Sequence, residues 1–262
     1  MREENYNLVD YHTHPYSHGE VNVDLEYLKT FVSQAKKREL KELGFSDHDI
    51  FLDNVDWNQL ISFKKSSILP LKLGIEIGYR EGKEDEFKKI LNKYPLDYVI
   101  GSVHYIGDWN FDHPDFINEF EKRDIHEIYS DYFSILGKAV TSGLFDIVGH
   151  LDLIKIYNYY PQPKHKKTIL DYAEPVLEKI KQKDLVVEIN TNGLNKPVRE
   201  IYPAKKIIKK MYSMNIPVTL GSDAHTPDRV GEKLSEVAEL ISEIGYQKIA
   251  CFKERKKHFV KL

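Results

Sequence analysis

Eleven histidines stand in this 262-residue chain, and several of them sit beside aspartate or glutamate in short patterns that could hold divalent metal ions. Near the N-terminus is Asp10-x-His12-x-His14, with His18 in the loop beyond, and near the C-terminus is Asp223-x-His225. Between them come Asp47-His48, Glu76, His104 and His150. Imidazole nitrogens with carboxylate oxygens suit Zn, Fe and Mn alike, and a carboxylate can bridge two ions. In an extended strand alternate residues share a face, so Asp10, His12 and His14 lie on one side, as do Asp223 and His225. Two imidazoles so placed can clasp one ion without a turn. A single histidine of this kind is ordinarily a hydrogen-bonded core or surface residue; the weight lies in the joint pattern. His113, His126, His165 and His258 lack such settings and read as structural or surface residues. Cys251 is the sole cysteine, which excludes an internal disulfide and a zinc-thiolate cluster, and its place in a late hydrophobic segment reads as buried filler.

Short β-branched runs at Leu8–Tyr11, Leu43–Ser46, Leu71–Ile77, Tyr98–Val103, Phe145–Gly149, Leu185–Asn190 and Pro217–Gly221 read as strands. Helix-period stretches separate them: Asp24–Leu40, Asp56–Lys65, Lys83–Lys93, Ile125–Ser142, Lys166–Lys183, Pro203–Met214 and Val230–Ile244. Asp24 is placed as an N-cap, and Thr226-Pro227 as a cap followed by proline in the first turn. Seven strand-then-helix units imply parallel strands joined by right-handed crossovers. The absence of Gly-x-Gly-x-x-Gly after the first strand, and of a Gly-Lys-Ser/Thr loop, removes the case for a nucleotide-binding open sheet. Every strand carries an imidazole or carboxylate at its C-terminal end, and in a barrel those ends share one rim, where active sites of such folds lie. The expectation is therefore a barrel occupying residues 1–262 as one domain. The segments 108–118 and 161–165 are expected to be loops, and the basic run 253–258 a solvated surface.

Composition narrows the function classes. With 41% hydrophobic and 30% charged residues the chain is ordinary globular protein rather than disordered or low-complexity. Lys and Arg total 38 against 41 Asp and Glu, a formal charge of −3, which supplies no general pull toward nucleic acid or membrane. The apolar runs are too short to span a bilayer and the N-terminus lacks a signal peptide's apolar core. A soluble cytoplasmic domain is expected, with no nucleic-acid or membrane partner; the sequence does not set the oligomeric state.

Asp10-x-His12-x-His14, Ser46-Asp47-His48, Glu76, His104, His150 and Asp223-x-His225 together resemble the motifs of the PHP (polymerase and histidinol phosphatase) metallophosphoesterases, over nearly the whole chain. Gly101-Ser102-Val103-His104, Gly149-His150-Leu151-Asp152 and the run from Asn190 to Pro203 resemble the branch that hydrolyses histidinol phosphate. The resemblance implies an α/β fold, a distorted (β/α)7 TIM-like barrel, with three divalent ions (Zn, Fe or Mn) at the C-terminal rim. It implies one ion on His12, His14, Glu76 and Asp223, a second on bridging Glu76 with His104 and His150, and a third on His18, His48 and His225. Asp10 would either orient a ligand imidazole or, as a strand-end aspartate, bind nearby backbone amides. The implied reaction converts L-histidinol phosphate to L-histidinol and inorganic phosphate, with metal-bound hydroxide attacking phosphorus in line. Arg199, with Lys196 second, is expected to clamp the phosphate. The leaving alkoxide takes its proton from a rim His or Asp, or from a metal-bound water. Asp108, Trp109, Asp112 and Tyr157 to Tyr160 are candidate wall residues for the histidinol part. A phosphoesterase for another small monoester or nucleotide is the alternative. A module bracing a DNA polymerase fits poorly, for want of a basic, aromatic-laced groove. An amidohydrolase-type barrel would need a ligating lysine at a strand end, and none is there.

Overall fold

The computed structural model describes residues 6–17, 22–161 and 167–262. Its main sheet holds seven parallel strands in the spatial order β1 (Val9–Asp10), β2 (Glu42–Phe45), β3 (Leu71–Gly78), β4 (Tyr98–Ser102), β7 (Ile147–Val148), β8 (Val186–Asn190) and β9 (Val218–Gly221). Strands β5 (Tyr105–Ile106) and β6 (Trp109–Asn110) form a small hairpin after β4. The sheet curls until its edges meet. The Tyr11 N–H donates to the Leu220 carbonyl (3.1 Å), His14 N–H to Ala224 (2.8 Å) and Ala224 N–H to His12 (3.2 Å), so β1 joins β9. The result is the distorted (β/α)7 barrel expected from the sequence, irregular because β1 and β7 are only two residues long.

Helices α1 (Leu25–Lys37), α2 (Trp57–Ser66), α3 (Glu84–Lys93), α4 (Ile125–Thr141), α5 (Ile169–Gln182), α6 (Lys205–Ser213) and α7 (Leu234–Ile244) follow the barrel strands in turn. Their starts are written locally. Asp24 caps α1 by accepting the Tyr27 N–H at 2.8 Å, and α1 then buries Leu28, Phe31, Val32 and Ala35, one helical stripe. Asp124 caps α4 through the N–H groups of His126 and Glu127, and a Thr168–Asp171 capping box opens α5. Inside the barrel, the buried Tyr98 donates its hydroxyl to the Tyr11 carbonyl (2.7 Å). Gly74 makes room for it, since a Cβ there would lie 2.4 Å from the Tyr98 ring.

Three segments carry structure beyond the sequence expectations. The basic run 253–258 lies at the surface, as expected, with Lys253, Lys256 and His258 exposed, but it also ends the first strand, makes the turn and begins the second strand of an antiparallel hairpin, β10 (Lys248–Lys253) and β11 (Lys256–Lys261). Ile249 to Phe252 are buried, Phe252 packs on Tyr11 and Tyr98 beneath the barrel, and the turn residue Arg255 binds Asp146 (2.8 Å) and the Leu144 carbonyl (2.7 Å). Segment 108–118 contains β6 and the start of a 3-10 helix, Pro114–Glu121. Helix α7 begins at Leu234 rather than near Val230, because Gly231 (φ 71°) and Lys233 (φ 61°) make a left-handed turn that carries the Gly231 N–H to Asp10 (2.7 Å). Among the described residues no helix is long and apolar enough to cross a membrane.

Candidate metal centre

The barrel gathers the strand-end residues into one cluster. Glu76, fully buried on β3, sits at its centre. Its Oε2 faces His48 Nδ1 (2.9 Å), His12 Nε2 (3.2 Å) and His14 Nε2 (3.6 Å), and its Oε1 faces His150 Nε2 (2.9 Å) and His104 Nε2 (3.3 Å). Asp223 faces His14 (3.3 Å), His225 (3.6 Å) and His12 (3.9 Å) through Oδ1. Its backbone is left-handed (φ 56°), a conformation aspartate tolerates better than most residues. The rings of His14, His48 and His225 stand 4.3 to 5.8 Å apart. Ligand atoms converge in four overlapping groups: His12–His14–Asp223, His12–Glu76–His150, His48–Glu76–His104 and His14–His48–His225. Eight of the nine expected ligands are thus in one place; the ninth, His18, lies outside the described residues.

The donor set suits divalent cations. His12 Nε2, His14 Nε2 and Glu76 Oε2, atoms that face one another at the centre, are buried without a hydrogen-bond partner among the described residues. Several unsatisfied buried lone pairs converging on shared points are costly unless a cation takes them. Electrostatics point the same way. Burial opposes charge on His12, yet Glu188, Glu76 and Asp223 hold its pKa well above the usual range. Burial likewise disfavours charge on His104, but Asp112 and Glu76 raise it. His14 is held well below, by burial and by its neighbours His48 and His225. Burial would raise Glu76 and Asp223, yet the surrounding imidazoles keep both well below the ordinary carboxylate range. The site therefore favours positive charge at fixed points but cannot carry it on every ring.

The PHP domain profile matches residues 10–192. This chain belongs to the PHP family. It is 39% identical over 189 residues to a probable histidinol-phosphatase of Deinococcus radiodurans, covering 72% of this chain and 70% of the relative. It is 26% identical over 263 residues to the histidinol-phosphatase of Lactococcus lactis, covering 93% and 94%. Among solved structures it resembles the histidinol phosphate phosphatase of Lactococcus lactis complexed with zinc, L-histidinol and phosphate, with a TM-score of 0.76 and 22% identity over 96% of this chain and 99% of that one. That likeness establishes the shared barrel.

Within this PHP barrel the structure decides between the two expectations for Asp10: it binds nearby backbone amides and does not orient a ring. Its carboxylate accepts the N–H and hydroxyl of Ser222 (2.9 and 2.5 Å), the Gly231 N–H (2.7 Å) and the His12 N–H (3.3 Å), and burial raises its pKa to about 6. The group on His12 is Glu188, whose Oε1 is 2.6 Å from His12 Nδ1 while Oε2 accepts the His150 N–H (2.8 Å) and the Asn190 amide (3.1 Å). Its signal in the sequence is its place at a strand end, two residues before Asn190 on the same face. Asp112 does the equivalent for His104, with Oδ2 2.8 Å from Nδ1.

A cavity of about 710 Å³ opens over the cluster. Its wall includes Lys196, Arg229 and Arg80 as cations and Asp49 and Asp112 as carboxylates. Arg199 is not there. Its backbone is left-handed (φ 53°), its side chain is exposed, and its guanidinium folds back onto the Leu194 carbonyl (3.3 Å). Of the other wall candidates, Asp112 lines the cavity. Asp108 is exposed, Trp109 packs on Phe111 and Phe120, Tyr157 donates to the Asp112 carbonyl (2.7 Å), Tyr159 stacks on Phe120, and Tyr160 donates to Glu200 (3.1 Å).

Proposed function

We propose that this PHP protein hydrolyses L-histidinol phosphate to L-histidinol and inorganic phosphate at a centre of three divalent ions, as a single cytoplasmic domain. The observation that carries the reading is the convergence of six imidazoles and two carboxylates beside a cavity walled by both cations and carboxylates. Bound there, divalent ions would supply Lewis-acid neutralisation of the phosphoryl oxygens and a water acidified to near neutrality. The chain's residues supply the rest. His12, His14, Glu76 and Asp223 would hold one ion, Glu76, His104 and His150 a second, and His48 and His225 with His18 a third, in Zn, Fe or Mn form. Glu188 and Asp112 fix the His12 and His104 rings, so that the Nε2 atoms face the shared carboxylate. Lys196 brings a further positive charge to the phosphate side. The cavity volume falls within the range of small-molecule sites, about 300–1,000 Å³, which supports a small monoester. The names of its relatives support histidinol phosphate among such esters.

The test is phosphate release from L-histidinol phosphate by purified protein, with metals counted on the same sample. Release that is lost on chelation and in His12→Ala, with about three ions per chain, fits the proposal. Metal-loaded protein that cleaves other monoesters and ignores this one overturns the substrate while keeping the chemistry.

A further inference from the structure

Arg229 and Asn192 tie the loops after β8 and β9 together at the edge of the cavity. Arg229 donates from Nε to Glu232 Oε2 (3.0 Å) and from Nη2 to Asn192 Oδ1 (3.1 Å). Asn192 in turn donates from Nδ2 to Asp223 Oδ2 (2.9 Å), the carboxylate whose other oxygen faces His14. Glu232 Oε2 also accepts the Asn195 amide (2.9 Å), and the Glu232 backbone carbonyl accepts the Thr191 hydroxyl (2.7 Å). Arg229 is thus pinned at one edge and linked by two hydrogen bonds to the rim of the metal cluster.

A guanidinium carries five N–H donors in a fixed plane. The bonds to Glu232 and Asn192 use the side edge, Nε–H and one Nη2–H. Among the described residues no protein acceptor engages the terminal edge, formed by Nη1 and the second Nη2–H. Arg229 also lines the same cavity as His150, Asp223 and His225, and its side chain is 26% exposed. A fork of two parallel N–H groups matches two oxygens of a phosphate, which a single ammonium such as that of Lys196 does not. The third cation, Arg80, is turned to Asp49 (3.4 Å) and stands over the Tyr105 ring (5.9 Å).

We propose that Arg229 is the principal phosphate-binding cation of this site, gripping two phosphoryl oxygens with its terminal fork while Glu232 and Asn192 hold it in register with Asp223. The proposal rests on reading the cavity as a phosphate-monoester site, and it replaces Arg199 in that role. Because the grip is on phosphate, it is independent of the alcohol released.

The test is a calorimetric titration of the metal-loaded enzyme with inorganic phosphate, alongside turnover of L-histidinol phosphate and of p-nitrophenyl phosphate. Arg229→Ala should weaken phosphate binding about 10- to 100-fold and lower kcat/KM for both esters by a similar factor, at unchanged metal content. Arg229→Lys should recover only part of the loss, and Arg199→Ala should stay within about twofold of the parent. Phosphate binding by Arg229→Ala within twofold of the parent overturns the proposal. Should that variant fail to fold, Arg229→Lys and Glu232→Gln decide it by the same titration, and undiminished binding in both again overturns it. An enzyme that cleaves p-nitrophenyl phosphate but not L-histidinol phosphate loses its assigned substrate, while the phosphate titration still judges Arg229.

Discussion

Glu188 reaches His12 from β8, past the intervening strand β9, and its Oε1 lies 2.6 Å from the imidazole Nδ1. That contact sets which ring nitrogen is left for the centre, because an Nδ1–H held by a carboxylate leaves Nε2 as the lone-pair donor. Its other oxygen fixes the backbone of His150, so one carboxylate braces two expected ligands. Glu188→Ala should therefore lower metal affinity or activity by about 10- to 100-fold while the fold survives. Metal content after graded chelation, read against circular dichroism, checks it. Metal retention equal to the parent would mean that the contact is structural only.

Gly221 is the gap through which that contact passes. A Cβ at this position would lie 2.0 Å from Glu188 Oε1 and 2.7 Å from His12 Cβ, both in the buried wall of the barrel. Neither atom belongs to a side chain with room to retreat. Gly221→Ala should cost about 1–3 kcal/mol of stability and displace Glu188, so it should reproduce the metal loss of Glu188→Ala. Thermal melts and metal counts on the two variants make the comparison, and a Gly221→Ala protein with full metal and an unshifted melt would refute it.

Glu76 differs from the other rim residues in facing five imidazoles with its two oxygens. Removing it should release more than one ion per chain, whereas His225→Ala, on the more open side, should release about one. Chelation of the parent should also lower Tm, because it leaves His14 and Glu76 Oε2 buried without partners. One site at a hundredfold excess of ligand over Kd adds about 2.7 kcal/mol, or roughly 5–10 °C for a chain of this size. A melt that is the same with and without chelator, on protein shown to have held metal, would contradict this.

What could be read in the sequence was whatever is encoded locally. Each rim pattern belongs to its own strand, so period-2 geometry and strand counting suffice to bring His12, His48, Glu76, His150 and Asp223 to one end of a barrel. Partner choice is encoded by closure instead. Asp10 and Glu188 are both strand-end carboxylates, and only the curl that joins β1 to β9 puts Glu188 against the His12 ring and turns Asp10 to the Ser222 and Gly231 amides. Arg199 and Arg229 pose the same problem in loops. Both are arginines just beyond a strand, and it is the left-handed backbone at Arg199 and the cross-loop bonds to Asn192 and Glu232 at Arg229 that decide which enters the cavity. The C-terminal hairpin was hidden by its charges: Lys253 to His258 read as solvent-facing, and most of them are, but nothing local shows that they pair with Lys248–Lys253 or that Arg255 is spent on Asp146 under the barrel.

That hairpin supplies a prediction remote from the metals. Cys251 is fully buried on β10, and burial pushes its thiol up from 9.0 to about 11. A thiol reagent needs the thiolate and access, so the native protein should react only as it unfolds. The same shift has a stability consequence. Between 9 and about 11 the unfolded chain gives up this proton before the folded one does, so the unfolded state binds fewer protons and stability falls as pH rises. The contribution is fully present below pH 9 and is lost through the folded pKa, amounting to about 2–3 kcal/mol at most. Cys251→Ala removes this titration while leaving the tyrosines and lysines that also titrate there. The difference in unfolding free energy between parent and variant should therefore favour the parent at pH 8 and narrow by pH 10.5. A difference that is constant across that window would show that the thiol keeps an ordinary pKa in the folded protein.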